Sequence, residues 1–556
     1  MGDGMVTKSE RITQGDLPGS ARAVGRRTKE RRTMTRQKSE HCIKPQARRK
    51  PGVTHGDERR GGGKAVPVNE RTWQLRLRFG TAEEPATRVA GADGEADTGQ
   101  PVPATHAEPK PRRKEETVTL ATMEEVCKRL AKAFQSVASN KGAPGPDRQS
   151  IDEVRAHLPA LLQKLAAELL SGTYEPGNIR RVWIPKSGGG QRGLGIPNVI
   201  DRVVQEGVRQ VLEPLYEPTF HDASHGFRPH RSCHTAIAAA YEHVNEGYEW
   251  VVDIDLEKFF DKVSHQRLMA RLAQRIEDRR MLVLIGRMLK AKVVMPEGVV
   301  VSTEEGVPQG GPLSPLLSNT VLDELDTELG QRGHRFVRYA DDCNIYVRSE
   351  RAGQRVMASV TDFIERRMRL KVNTAKSAVA RPEERHFLGF RLRREPRDGE
   401  VEVLLSKRSK ERIDAKIREL TPRTWGNSLR ACILAVNAYL LGWIGFFGIC
   451  TVGAERTFAA LDAHIRRRLR AIQVKHWKTR RTIARRLTQL GVARKLAWRT
   501  TYAGRKSDWA ASHTTAIHRG LRNAYFAERG LASLAVEWKR RAKSIGAPVQ
   551  LRLPLG

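Results

Sequence analysis

Two adjacent acids, Asp341 and Asp342, stand between two short apolar runs of high strand propensity, at 336–339 and 343–347. This pattern predicts a β-hairpin whose turn, residues 340–342, carries both carboxylates. Acids at an ordinary turn usually point into solvent and do no chemistry. The alternative is a metal site, because Mg²⁺ is commonly bound by carboxylates together with substrate phosphates. A two-metal phosphoryl-transfer site would need a third carboxylate from another strand.

A source for that third carboxylate lies upstream, in a strand-like run at 248–256 that ends in acidic residues. Asp253 and Asp255 are two residues apart, so on a strand they point to the same face. Spacing alone therefore allows either residue to be the ligand. Residues 257–261 after them predict the start of a helix.

Two motifs here resemble those of a known family. Residues 255–261 (DLEKFFD) resemble motif A of reverse transcriptases, and residues 339–342 (YADD) resemble their motif C. The resemblance implies that three acids are catalytic and bind two Mg²⁺ ions. These acids are Asp255, Asp341 and Asp342.

The same resemblance assigns the neighbours of motif A. Asp253 becomes a neighbour of the site, and Leu256 is placed with the metal-binding residues. Phe260, five residues past Asp255, matches the position that closes over the nucleotide 2′ carbon and excludes ribonucleotides.

A glycine-rich turn predicts a phosphate contact. Residues 178–184 alternate as a strand does, and Lys186 and Arg192 lie on either arm of the turn that follows. In register with motifs A and C, both are predicted to contact the β- and γ-phosphates of the incoming nucleotide, where charge must be neutralised. The family usually has Arg-Pro-Leu-Gly where this chain has RGLG at 192–195, and we expect the glycine to loosen the turn.

Two further segments resemble nucleotide-binding motifs. Residues 306–315 (GVPQGGPLSP) resemble motif B and predict a helix to about residue 329, with Gln309 against the nucleotide and the template base. The glycine pair would let backbone approach a ligand closely. Residues 370–377 resemble motif D, which makes Lys376 a candidate for protonating or screening the pyrophosphate leaving group.

The remaining candidates concern nucleic acid. Arg228 and Arg231, in a family-like block at 224–236, are predicted to contact the template backbone or to brace the surrounding fold. Residues 387–390 (FLGF) resemble the primer-grip hairpin, with Leu388 and Gly389 at its turn. A solvated helix face is the default for cationic runs, but aromatic residues among the cations favour RNA contacts. Trp477, within KHWKTRR, is the candidate there.

Composition points to a polyanionic partner. The 556 residues include 99 Lys and Arg against 63 Asp and Glu, a formal net charge of +36. An excess on this scale favours nucleic acid. The six cysteines contain no C-x-x-C pair, which argues against a zinc ribbon or disulfide framework and fits a reducing compartment. With no signal-peptide pattern, we expect a cytoplasmic protein.

One uncharged segment, residues 431–452, is long enough to cross a bilayer. It contains Asn437 and three glycines, and arginine-rich sequence follows closely. These features favour a pair of buried helices over a membrane span.

The predicted organisation is α+β, with four parts. Residues 1–115 form a basic arm, too poor in apolar periodicity to fold, and residues 116–405 the fingers and an antiparallel-sheet palm of a right-hand polymerase. Residues 406–495 resemble the helical thumb and maturase domain of group II intron proteins. Residues 496–556 resemble the basic DNA-binding tail of bacterial members that lack the H-N-H endonuclease domain.

The resemblance implies an RNA-directed DNA polymerase that is also an intron maturase. Its expected partners are group II intron RNA, an RNA template with a DNA primer, dNTPs and target DNA. Two alternatives stay open, a domesticated reverse transcriptase used in defence or repair and a non-catalytic RNA-splicing cofactor. Intact acids at all three catalytic positions argue against the second. The oligomeric state cannot be inferred from the sequence.

Overall fold

A computed structural model describes residues 121–185, 189–397, 399–503 and 507–544. The predicted basic arm and Lys186 lie outside these residues. In chain order the strands are β1 (Ile179–Pro185), β2 (Gln191–Ile196), β3 (Trp250–Ile254), β4 (Val293–Val294), β5 (Val300–Val301), β6 (Arg335–Tyr339), β7 (Asp342–Val347), β8 (Ala378–Ala380), β9 (Phe390–Arg394) and β10 (Val401–Leu405).

The α-helices are α1 (Met123–Ser139), α2 (Ile151–Ala156), α3 (Leu158–Ser171), α4 (Val199–Tyr216), α5 (Cys233–Asn245), α6 (Phe259–Lys262), α7 (His265–Ala273), α8 (Arg279–Leu289), α9 (Ser314–Gln331), α10 (Glu350–Asp362), α11 (Lys407–Leu420), α12 (Leu429–Phe447), α13 (Glu455–His476), α14 (Arg480–Gln489), α15 (Arg494–Tyr502), α16 (Asp508–Ala511), α17 (Thr515–Gly520), α18 (Asn523–Ala527) and α19 (Leu534–Ser544).

Local sequence explains most of these bounds. The apolar spacing of residues 123–139 predicts one helix, and α1 has those limits. The sequence also predicts one helix over residues 151–170, but the structure has two, α2 and α3, separated at His157. Pro159 lies in the first turn of α3, where its missing N–H costs nothing, whereas inside a continuous helix its ring would clash with the preceding turn.

The central sheet, in the order β6-β7-β3-β8, is antiparallel throughout. Its β6–β7 hairpin confirms the predicted one, with Tyr339 paired to Asp342 and only Ala340 and Asp341 in the turn. Ala340 adopts φ +56°, a conformation that L residues seldom take. The hairpin therefore needs support from its surroundings.

That sheet lies between two hydrophobic cores. Val252 and Ile254 of β3 pack into an N-terminal core with α1, α4, α8 and α9, while Val251 packs into a C-terminal core with α5, β9, β10 and α11–α13. Side chains alternate across a strand, so adjacent residues serve opposite cores. The two cores cover both faces of the sheet. A functional site on the sheet would therefore lie at one of its ends.

The uncharged segment forms most of α12, one helix rather than the expected pair. Among the described residues, it alone is long and apolar enough to cross a membrane. One face of α12, including Val436, Leu440 and Ile444, is buried in the C-terminal core. This packing explains the apolar composition without a bilayer.

The described residues beyond 495 share that same core. Leu521, Phe526 and Trp538 are buried in it, and the Trp538 indole donates a 2.8 Å hydrogen bond to the Cys450 carbonyl. Buried Asp462 of α13 accepts from the Leu534 amide at the start of α19. The predicted tail is therefore packed with the preceding helices as far as it is described.

Candidate active site

Strand register brings the predicted acids to one end of the central sheet. In β3 and β7, Ile254 pairs with Cys343, and continuing this antiparallel register places Asp255 opposite Asp342. Asp341 occupies the adjoining turn. The three acids that the resemblance implies are thus neighbours, contributed by separate strands.

The carboxylates at this end of the sheet act on one another electrostatically. Desolvation, together with the charges of Asp341, Asp253 and Asp255, raises the pKa of Asp342 to about 7. Part of the Asp342 residue still reaches solvent. Burial also raises the pKa of Asp341, against the opposing effect of Arg192 and Lys376. This end of the sheet concentrates negative charge.

The structure distinguishes Asp253 from Asp255. Asp253 lies within β3, and Arg385 donates two hydrogen bonds to its Oδ2, of 2.8 Å from Nε and 2.6 Å from Nη2. Asp255 lies just past the strand end, where its backbone N–H donates to the Ser377 hydroxyl. Its carboxylate accepts from the Lys376 ammonium at 3.0 Å. Asp253 therefore has a structural ion pair, whereas Asp255 has an exposed lysine as partner.

The carboxylates suit a hard cation in their chemistry. Oxygen donors are what Mg²⁺ requires, and bound positive charge would relieve the repulsion that raises the pKa of Asp342. Within the described ranges, no three His, Cys, Asp or Glu side chains converge closely enough to enclose a metal ion. The Asp255 carboxylate is paired with Lys376 instead. The donor set fits a divalent cation, although the side chains are not arranged around one.

Arg192 and Gln309 meet although they are distant in sequence. Arg192 Nε donates a 2.6 Å hydrogen bond to Gln309 Oε1, and the Gly195 amide donates to the Gln309 carbonyl at 2.7 Å. Gly310 adopts φ +126°, and a Cβ there would lie 2.4 Å from the Gly195 oxygen. The glycine-rich segment before α9 thus docks on β2, and the charge of Arg192 on that strand lowers the pKa of Asp341 against the effect of burial.

Gly193 does not simply loosen the β1–β2 hairpin, as we expected from the missing proline. A Cβ at this position would lie 2.6 Å from Arg181 Nη1 and 3.0 Å from Trp183 Cζ3. Arg181 Nη1 donates to the Gly193 carbonyl at 3.1 Å, and its guanidinium lies 5.7 Å from the Trp183 ring centre. Glycine here makes room for two large side chains on the neighbouring strand.

Phe260 and Leu256 lie in the segment that follows Asp255. Phe260 is the second residue of α6 and is 8% exposed. Its ring packs in the N-terminal core beside that of Phe259, and its carbonyl accepts from the Val307 amide at 2.7 Å. Leu256 is also buried, and its backbone pairs with Val372.

The two predicted arginines of the 224–236 block differ in environment. Arg228 is buried, and it donates to the Glu217 carboxylate at 2.9 Å and to the Ser224 carbonyl at 2.9 Å. Of its two predicted roles, this geometry favours bracing. Arg231 is more accessible and donates to the Asp222 carboxylate at 2.7 Å.

The predicted primer-grip turn is tightly formed. Leu388 and Gly389 adopt φ +51° and +92°, and the Gly389 carbonyl accepts from the Ser409 hydroxyl at 2.7 Å. A Cβ on Gly389 would lie 3.2 Å from the Phe447 ring. This turn joins β9 to the ends of α11 and α12. Trp477, half-buried at the end of α13, packs against the C-terminal core.

A buried ion pair beneath the acidic turn was missed by sequence reasoning. Arg338 and Asp326 are both fully buried, and Arg338 Nε donates to Asp326 Oδ1 at 2.6 Å. Arg338 also donates to the Ala340 carbonyl at 2.9 Å and to the Ser224 hydroxyl at 2.7 Å. These bonds fix the strained Ala340 turn from below. The signal available in the sequence was a charged residue, Arg338, within an apolar run that is predicted to form a strand.

Comparisons with known protein families identify two regions of the chain. Residues 184–392 match the family model for "Reverse transcriptase (RNA-dependent DNA polymerase)", which covers the whole acidic site. Residues 410–489 match "Group II intron, maturase-specific domain", which covers α12, α13, α14 and most of α11. The chain therefore contains a reverse-transcriptase domain followed by a maturase domain.

Individual relatives show which family of reverse transcriptases the chain resembles. The chain is 36% identical to Protein YkfC of Escherichia coli (strain K12) over 317 residues, covering 50% of this chain and 83% of YkfC. It is 40% identical to the group II intron-encoded protein LtrA of Lactococcus lactis subsp. cremoris over 207 residues, 37% of this chain and 34% of LtrA. The chain belongs to the group II intron-encoded reverse transcriptase/maturase family.

Proposed function

We propose that this protein polymerises DNA on an RNA template and acts as a maturase for group II intron RNA. The observation that carries the proposal is the meeting of Asp255, Asp341 and Asp342 at one sheet end, together with Arg192, which is bonded to Gln309 and opposes the rise in the pKa of Asp341. Neither feature alone would specify phosphoryl transfer. Together they provide negative charge for a cation and positive charge for a phosphate.

The proposed right-hand layout gives each part a role. In it the central sheet is the palm, and α1–α4 with β1 and β2 are the fingers. The helices from α11 onward are the thumb and maturase domain, which the β9–β10 hairpin joins to the palm. A template–primer duplex would then lie across the open end of the central sheet, beside the turn at Gly389.

Two Mg²⁺ ions would be held by Asp255, Asp341 and Asp342, with Leu256 beside them. This requires the ion pair between Lys376 and Asp255 to open. Bound Mg²⁺ supplies charge neutralisation at the reacting phosphate and lowers the pKa of a bound hydroxyl. Arg192, and Lys186 outside the described residues, would bind the β- and γ-phosphates. Lys376, released from Asp255, would screen or protonate the departing pyrophosphate.

Phe260 is proposed to form part of a pocket that selects the sugar of the incoming nucleotide. Replacing Phe260 with alanine removes the ring from the wall beside the nucleotide and should admit ribonucleotides. We expect the preference for dNTP over rNTP, measured as the ratio of kcat/KM values, to fall by about tenfold or more. Phe260→Tyr is the matched control and should keep the preference. Unchanged selectivity in Phe260→Ala would move the gate to another residue.

The maturase role would use the basic surface of the C-terminal helices. Exposed cations follow the helical repeat on α14, including Arg481 and Arg485, and Trp477 lies just before them. Such a surface suits RNA backbone and would hold intron RNA in its splicing-competent fold. The proposed setting is a cytoplasmic ribonucleoprotein.

RNA affinity should therefore fall steeply with salt. A protein that neutralises six or more phosphates loses about 10³-fold in affinity between 50 and 200 mM salt. We expect a linear log–log plot for intron RNA and a slope reduced by about 2 in Arg481→Gln/Arg485→Gln. The charge-preserving Arg481→Lys/Arg485→Lys variant should keep the wild-type slope. A flat salt response would contradict backbone binding.

Two measurements distinguish the alternatives. A non-catalytic splicing cofactor would promote intron splicing without extending a primer, so the two activities are assayed on the same preparation. A domesticated enzyme would extend primers but would not depend on a group II intron, which sequencing of co-purified RNA tests directly. Recovery of a group II intron RNA with the active enzyme supports the proposal.

A further inference from the structure

Phe227 has an unusual conformation for a large aromatic residue. It adopts φ +63°, in the left-handed region that L residues with bulky side chains seldom occupy. Its side chain nevertheless remains 47% exposed, so burial of the ring does not compensate for the strain. Backbone strain of this kind persists where the surroundings enforce it, and it is often found at functional sites.

The surroundings that enforce this conformation lie beneath the acidic turn. The Gly226 carbonyl accepts from Asn319 Nδ2 at 2.8 Å, and a Cβ on Gly226 would lie 2.3 Å from the Ala340 nitrogen. Ser224 accepts from buried Arg338. Residues on the N-terminal side of Phe227 are therefore bound to the same network that fixes the catalytic hairpin.

The ring of Phe227 lies next to that hairpin. Its centre is 6.5 Å from the ring centre of Tyr339, whose backbone pairs with Asp342. The strained backbone thus presents an accessible aromatic face close to the acids. An exposed aromatic ring beside a polymerising centre is suited to stacking on a nucleobase.

We propose that Phe227 is a stacking contact for a nucleobase at the growing primer end. The base is either the template base facing the incoming nucleotide or a base of the terminal primer–template pair, and both present the same flat π-face. This inference rests on the proposed polymerase function. It assigns Phe227 to substrate positioning, apart from phosphate and metal binding.

The test measures binding of a fluorescent RNA template–DNA primer duplex with a recessed 3′ end, at constant salt and without dNTP. Base–aromatic stacking is worth about 1–3 kcal/mol per base, which corresponds to about 5- to 150-fold in affinity. We expect Phe227→Ala and Phe227→Gly to weaken binding within this range and Phe227→Tyr to keep wild-type affinity.

Thermal unfolding distinguishes a role of the Phe227 ring in binding the duplex from a role in stabilising the fold. Glycine adopts φ +63° without strain, so Phe227→Gly should keep or raise Tm while weakening duplex binding. If Phe227→Gly and Phe227→Ala both lower Tm in step with affinity, the ring is structural and the inference fails. Affinity within twofold of wild type in both variants would also overturn it.

Abasic sites in the template–primer duplex identify which base stacks on Phe227. One duplex carries an abasic site at the templating position, and a second carries abasic nucleotides at the terminal pair. The duplex that lacks the stacked base should bind wild type and Phe227→Ala equally. If both abasic duplexes still distinguish the two proteins, base stacking is refuted. If wild type itself fails to bind the intact duplex, the proposed function fails instead.

Discussion

Replacing Asp255 with asparagine is expected to reduce the rate of primer extension by about 100-fold or more, because several kcal/mol of charge stabilisation are lost at the reacting phosphate. Asp255 lies past the end of β3, opposite Asp342, and its carboxylate is paired with a solvent-exposed lysine, Lys376. Single-turnover incorporation of one dNTP on an RNA template measures this effect. Tm should change little, since Asp255 is not in either core.

Asp253 provides the matched control. It lies two residues earlier on the same strand face, but its carboxylate is held by Arg385. Asparagine there keeps an oxygen acceptor for Arg385, and we expect a loss of about tenfold or less in rate. Equal losses in Asp253→Asn and Asp255→Asn would contradict the assignment of separate structural and catalytic roles.

Replacing Arg338 with methionine is expected to destabilise the protein by about 3–5 kcal/mol, because Asp326 would be left as an unpaired buried carboxylate. The measurement is the midpoint of urea unfolding followed by circular dichroism. The size of the effect follows from burial, since neither partner of this ion pair is exposed to solvent. An unchanged midpoint would contradict the buried-pair account.

A second variant separates stability from the support of the turn. Arg338→Met/Asp326→Leu removes both charges, and replacing a buried pair with apolar residues is often neutral. We therefore expect most of the stability to return. The hydrogen bond from Arg338 to the Ala340 carbonyl would still be missing, so incorporation should remain about tenfold or more below wild type. Full recovery of activity would exclude a role for Arg338 in fixing the acidic turn.

Local sequence patterns predicted the hairpin and the helix that position candidate site residues. Apolar, strand-forming residues on both sides of Asp341 and Asp342 predicted the hairpin, and the structure confirms it with a slightly shorter turn. Motif B likewise predicted the long helix that is now α9. These features depend on residues close together in the sequence. Helix bounds were less certain where a proline, such as Pro159, began a second helix.

Long-range pairings were not predictable from one sequence. Spacing left Asp253 and Asp255 equivalent. In the structure their different partners distinguish them, Arg385 on Asp253 and Lys376 on Asp255, and both partners lie more than a hundred residues later. The same holds for the Arg338–Asp326 pair and for Gly193, whose role depends on the side chains of the neighbouring strand. Composition indicated a basic tail, but the packing of Trp538 against α13 needs the folded chain.

The most direct test of the central claim is primer extension on an RNA template by the purified full-length protein with Mg²⁺ and dNTPs, compared with Asp341→Asn prepared in parallel. We predict template-dependent cDNA from wild type, none above background from the variant, and complete loss in wild type when EDTA is added. If wild type extends the primer no better than Asp341→Asn, the acids gathered at the end of the central sheet do not catalyse DNA synthesis.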